Sequence, residues 1–476
     1  MAYHSNKRER EEMQELLRIY HNLKAGRSAS FLQEEDFERI IDYFDDQENL
    51  DAALEASSIG LEQFPYSAQM MFKKADLLIA VGRYIEALHL LDTAALYDSH
   101  DATLYILRTD AYLALDRPAE AAAQLQDALE LFEGDEKVDL LFELSDVYDD
   151  YEDFDKVFDC LKLILQEDPL NEEALLKICF WTDFTGRSAE SIKLHQQIID
   201  EYPFCELAWF NLATAFQGLK LYEKAIDAYK YALAIDEKMD IAYRNMADAY
   251  IRLRKYKDAI ECLQKVLELS RPEDVIHEAL GHCYHKLQNY AQARFHYRKA
   301  SHLNPDDSRI YYKIAITYCK EDQWEAAVKQ LETAMRLHKL QPEFNLLMGE
   351  CKMEQGKLKE AIPYFLNVIK ARPKNVSGHE ALIRCLAKAG EMDEALAHCL
   401  LAEELSGQNP LFTYYRSGVL FMQGRVKEAA VQLERALIAN PRLFSKLSNW
   451  VPGLLQRPQV VDLLSKYLRR KSKKKG

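Results

Sequence analysis

The stretch "ELAWFNLATAFQGLKLYEKAIDAYKYALAIDE", Glu206 to Glu237, decides the fold, because it returns in altered form from Asp274 to Asp307 as "DVIHEALGHCYHKLQNYAQARFHYRKASHLNPDD". Counted from the first residue of each, position 7 is Leu212 and Leu280, position 8 Ala213 and Gly281, and position 11 Phe216 and Tyr284. Position 20 is Ala225 and Ala293, position 24 Tyr229 and Tyr297, and position 27 Ala232 and Ala300. A fixed period changes the meaning of every local motif inside it, so the register comes before the motifs.

Steps of 34 residues in both directions give starts at Glu34, Ala68, Ala102, Val138, Glu172, Glu206, Asp240, Asp274, Ser308, Pro342, Val376 and Pro410, with one slip of two residues near "FEGDEK". Position 20 is Ala in ten of these twelve copies; Val157 and Ser191 are the exceptions. Small residues at positions 8 and 20 let two antiparallel helices approach, while large ones at 4, 7, 11, 17 and 24 fill the space between them and the next pair. Pro65, Pro169, Pro203, Pro305, Pro373 and Pro441 stand at position 32, where the second helix must stop. Lys74, Arg108 and Arg416 at position 7, with Ile41 and Ile383 at position 8, depart from the pattern and are expected to weaken their own copies.

This pattern resembles the tetratricopeptide repeat, W-x2-L-G-x2-Y followed by A-x3-F and a closing P, in a tandem array of the bacterial multi-repeat scaffold type. The resemblance covers residues 34–443 and implies an all-α fold, a right-handed superhelical solenoid of helix-turn-helix repeats. Residues 1–33 read as an N-terminal capping helix, 444–468 as C-terminal capping helices and 469–476 as a basic disordered tail. Sixteen glycines and thirteen prolines in 476 residues agree with long helices on short connections. The charged N-terminus and the lack of a long apolar run lead to the expectation of a cytoplasmic protein without membrane insertion.

Local motifs for chemistry fail one by one. In "GECKMEQGKL", Gly349 and Gly356 are wrongly spaced for a phosphate loop and Leu358 stands where Ser or Thr is needed. In "HEALGHCYH", His277 and His282 are five apart, whereas a shared helix face for zinc needs four. Nine scattered cysteines show no C-x-x-C pair and read as reduced packing residues. The expectation is no enzyme, no cofactor and no metal.

Function then falls to a surface. On a helix at 100° per residue, positions 2, 5, 9 and 12 of each first helix lie about 130° from the packing stripe. In tetratricopeptide proteins this second stripe, with position 13, lines the concave groove that holds peptides and partner segments, as the resemblance implies. The first copy places Glu35, Glu38, Asp42, Asp45 and Asp46 there; the fourth Asp139, Phe142, Asp146, Asp149 and Asp150; the fifth Phe180, Asp183 and Phe184, and the sixth Phe210. Arg244, Arg252, His282, His285, Lys286, Arg309, Tyr312 and Lys320 follow in copies seven to nine. The charge division is chain-wide: residues 1–200 hold 44 acids and 18 bases, the remainder 33 acids and 43 bases.

The seven acids in and after "DVYDDYEDFD" therefore split among groove, turn and second helix, and do not form one cage. The reading is a protein-binding scaffold whose partner carries a basic stretch beside an apolar one. Charge-driven self-assembly into a dimer or filament is the alternative, and nucleic-acid contact through "YLRRKSKKKG" is third, opposed by the net charge of −16. A carboxylate clamp would need Lys at position 5 and Asn at position 9; the nearest case, Arg244 with Asp248, repels a carboxylate.

Overall fold

The computed structural model describes residues 2–25, 27, 31–451 and 453–472, with side chains between 12 and 467. Regular structure among them is helical, with no strand, and no helix is long and apolar enough to cross a membrane. Residues Met1–Ala249 and Tyr250–Gly476 form two compact units. Both are built from helix-turn-helix pairs stacked in sequence order.

Twelve such pairs have first helices opening at Glu34, Ala68, Ala102, Asp135, Glu172, Glu206, Asp240, Asp274, Ser308, Pro342, Val376 and Pro410. Only Asp135–Asp150 departs from the 34-residue count. It starts three residues before Val138 and takes the two extra residues into its own first turn, behind Gly134 at φ 66. Several first helices open on a capping side chain: the oxygens of Ser67, Asp101, Asn171, Asp307, Asn375 and Asn409 accept from backbone N–H groups of the first turn. Each such cap satisfies a donor the helix cannot, worth about 1 kcal/mol.

The turn inside every pair has a single left-handed residue, always at position 15. It is Gly82, Gly186, Gly356, Gly390 or Gly424 in five pairs and Glu48, Asp116, Glu152, Lys220, Arg254, Gln288 or Asp322 in the others. Glycine adopts this conformation at no steric cost, so backbone geometry accounts for Gly356.

Position 20 is fully buried in all twelve pairs, Val157 and Ser191 included, which fits a site of helix-helix contact. Positions 8 and 24 face each other across each pair. A Cβ on Gly281 would lie 2.5 Å from Cδ1 of Tyr297, and one on Gly349 would lie 2.5 Å from Cε1 of Phe365. Large and small residues trade places here: Ile41 goes with Ser57 and Ile383 with Cys399, all four buried. The volume of each isoleucine is thus offset by a small residue at position 24. Arg108 at position 7, its side chain mostly buried, pairs with Asp92 at 2.7 Å.

The helix Ala2–Lys24 lays Leu16, Leu17, Tyr20 and Leu23 on Phe37, Ile40 and Ile41 of the first pair. In the second unit, helices Phe444–Trp450 and Pro458–Ser472 supply Leu447, Val460, Leu463 and Tyr467 to a core shared with Tyr414, Phe421 and Leu433. Side chains of the basic tail beyond residue 467 lie outside the described residues.

Candidate protein-interaction face

Within the first unit the expected stripe is a row of carboxylates on consecutive first helices. Glu35, Asp42, Asp45, Asp46, Asp139, Asp146, Asp149, Asp150 and Asp183 are exposed and Glu38 is half-buried. Two of these first helices also send a position-6 lysine toward position 9 of the pair before, 31 residues back in sequence. Lys73 thereby pairs with Asp42, and Lys177 stands 3.7 Å from Asp146 and 2.8 Å from Glu173.

Where position 6 is not basic, acids meet acids. Glu143 falls beside Asp110 and Asp146, and burial first, then these neighbours, raise its carboxyl above the usual range. Burial followed by Asp76 does the same to Asp110; burial followed by Asp45 does so to Asp76, with Lys73 opposing. Asp146 is raised by burial and by Asp149, with Lys177 opposing. Such groups resist ionisation because water is partly removed and the nearby charges are of their own sign. A cation brought to this row would relieve them.

Next to the acids lies an aromatic cluster. Phe180 and Phe184, one turn apart on Glu172–Thr185, have ring centroids 6.0 Å apart. Trp181 lies edge-on to both, and Phe154 from the preceding pair stacks on Trp181 at 5.1 Å. Despite this packing Phe180 stays 60% exposed and Phe184 59%, with Leu176 exposed one turn earlier. Phe142 is half-buried beneath the Lys177 ammonium, 5.1 Å from its ring centroid. Phe210 is a correction: it is only 6% exposed and packs on Tyr229, so it belongs to the core and not to the patch. Trp181, Phe154 and Glu143 were missed because positions 10, 17 and 6 fall outside the stripe drawn from a single helix. The 31-residue spacing of Asp42 to Lys73 and Asp146 to Lys177 was the available signal.

Arg244, half-buried, falls in the first unit, with Asp248 one turn on accepting from Gln217 at 3.1 Å. In the second unit Arg252, Lys286, Arg309 and Lys320 are exposed, and Tyr312 is half-buried against Phe344 at 5.1 Å. His282 and His285 add little positive charge: burial, then Lys286, lowers both below the ordinary imidazole range. His277 is buried, its Nδ1 3.2 Å from Nδ1 of His296. Among the described residues no three His, Cys, Asp or Glu side chains are grouped to hold a metal ion.

Helix pairs repeating at 34 residues, a left-handed turn at position 15 and buried small residues at 8 and 20 define a helical-repeat protein. Residues 72–136 and 346–410 match the family model "Tetratricopeptide repeat", and residues 189–350 match "Tetratricopeptide repeat protein 21 C-terminal ARM domain". The chain is a tetratricopeptide-repeat protein. Proteins of this family generally serve as non-enzymatic scaffolds. No curated protein matches the chain.

Similar solved structures include the C-terminal part of a repeat protein from Cytophaga hutchinsonii, 15% identical, with TM-score 0.44 over 54% of this chain and 99% of that one. The APC/C hetero-tetramer Cut9-Hcn1 is 12% identical, with TM-score 0.37 over 82% and 97%. YrrB, described as having an unusual peptide-binding site, is 19% identical, with TM-score 0.36 over 39% and 96%.

Proposed function

We propose that the chain is a non-enzymatic scaffold that holds a segment of another protein on the first-helix face of its first unit. An apolar side chain of that segment sits on Leu176, Phe180 and Phe184, and a neighbouring basic stretch lies along Asp146, Asp149, Asp150 and Asp183. The observation that carries this reading is the pair of phenylalanines left more than half exposed beside a row of acids.

Water-exposed rings on consecutive turns cost solubility, and covering them returns up to about 2 kcal/mol per side chain. Lysines and arginines of the partner would neutralise this row, including Asp146, which burial first and Asp149 beside it hold above the usual range, and would set orientation and association rate. Helical and extended segments could both present such a pattern.

The test is affinity capture from a lysate with the wild-type chain, with Asp146→Lys/Asp149→Lys/Asp150→Lys and with Phe180→Ser/Phe184→Ser. Proteins retained by the wild type and lost from both variants, sharing a basic stretch beside an apolar one, are the expected result. Capture that survives both sets of substitutions sinks the proposal.

A further inference from the structure

The repeat geometry also brings cysteines together. First helices of successive pairs touch through side chains 31 or 32 residues apart, as at Asp42 and Lys73, Asp146 and Lys177, and Gln69 and Asp101. Of all cysteine pairs in the sequence, Cys319 and Cys351 alone have that separation. Their sulfurs lie 3.4 Å apart, in contact and without a bond. Cys319 is half-buried at the end of Ser308–Cys319, whereas Cys351 is buried in Pro342–Glu354. Around them Tyr312, Tyr318, Trp324 and Met348 form an apolar wall.

We propose that Cys319 and Cys351 are a peroxide-sensitive dithiol that closes into a disulfide and staples two successive helix pairs. Closure shortens the sulfur separation by about 1.4 Å, within reach of small side-chain rotations. Cys319 is the attacking group. It is the more accessible of the two, and the hydrogen bond it shares with Cys351 draws its thiol below the ordinary value, whereas Cys351 is pushed up.

The Cys319 thiolate takes the distal oxygen of a hydroperoxide, breaking the O–O bond and releasing water or alcohol. The resulting sulfenic acid is attacked at sulfur by Cys351, whose proton leaves with the displaced hydroxide as a second water. Two electrons pass from the two sulfurs to the peroxide. A dithiol reverses the step by exchange. Cys319 stands at position 12, on the same stripe as Tyr312 and next to Lys320, so closure stiffens that stretch of the second unit's first-helix face.

The experiment treats the full chain with hydrogen peroxide, blocks remaining thiols by alkylation and maps tryptic peptides. Residues 314–320 and 340–352 should emerge joined, about 2 Da lighter than their sum, and separate after dithiothreitol. In Cys351→Ser, dimedone should trap a sulfenic acid on Cys319 that the wild type does not accumulate. Hydrogen exchange in Ser308–Cys319 and Pro342–Glu354 should slow on oxidation of the wild type and remain unchanged in Cys319→Ser. Over-oxidation of Cys319 without the joined peptides, equal dimedone trapping in wild type and variant, or exchange indifferent to peroxide would each overturn the proposal.

Discussion

Replacing Gly281 by Ala tests whether facing volumes at positions 8 and 24 hold each pair together. The new Cβ would stand 2.5 Å, 2.6 Å and 3.0 Å from three carbons of the Tyr297 ring, which is itself 2% exposed and has no room to retreat. Such overpacking costs about 1–3 kcal/mol. Alanine inside a helix regains about 1 kcal/mol over glycine, leaving a net loss of up to about 2 kcal/mol. Tyr297→Leu alone leaves a void and costs about 2 kcal/mol. The double variant recreates a combination already present as Ala315 with Leu331, so it should recover the clash term, a coupling of about 1–3 kcal/mol. A chain of stacked pairs need not unfold in one step, so the assay is native-state hydrogen exchange on peptides within Asp274–Leu303. Single losses that add to within about 0.5 kcal/mol in the double variant would refute the facing-volume account.

Lys220→Gly relieves a left-handed residue at φ 60 and should stabilise its pair by about 1 kcal/mol, read as slower exchange in Glu206–Ile235. Asp110→Asn and Glu143→Gln remove charges held above their usual range, so near neutral pH each should raise the melting temperature while weakening partner capture; a lower melting temperature would contradict the like-charge row. His296 and His398 are pushed down to about 4 by burial first and by their His277 and His379 neighbours second. Because the unfolded imidazoles bind protons first, stability from these pairs is complete above pH about 6.5 and falls as the pH drops toward 4, a slope that His296→Gln/His398→Gln should flatten in melts across pH. Size-exclusion chromatography in low and in high salt should give one monomeric species; a low-salt dimer that dissolves in salt would assign the acidic face to self-pairing.

Ala at position 20, small residues at 8 and Pro at 32 made the helix pairs legible in the sequence, because close helix contact and helix termination each restrict a single position to few residue types. The compensations at Ile41 with Ser57 and Ile383 with Cys399 were less visible, since they link positions 16 residues apart that only the folded pair sets face to face. Exposed members of the face at positions 9 and 12, Asp146, Asp149, Phe180 and Asp183, follow from helical periodicity, whereas Asp150 and Phe184 at position 13 enter only through the family resemblance. Phe210 does not, because its burial is decided by Tyr229 on the second helix. Glu143, Lys177, Trp181 and the contact of Cys319 with Cys351 depend on how one pair lies against the next.

A displayed random-peptide library selected on the immobilised chain reads directly the chemistry of the segment proposed for the Phe180 and Phe184 face. Peptides with clustered lysine or arginine next to a large apolar residue should be enriched, and should be lost on Asp146→Lys/Asp149→Lys/Asp150→Lys. Enrichment of acidic peptides, or of a common set that binds wild type and variant equally, would contradict the proposal.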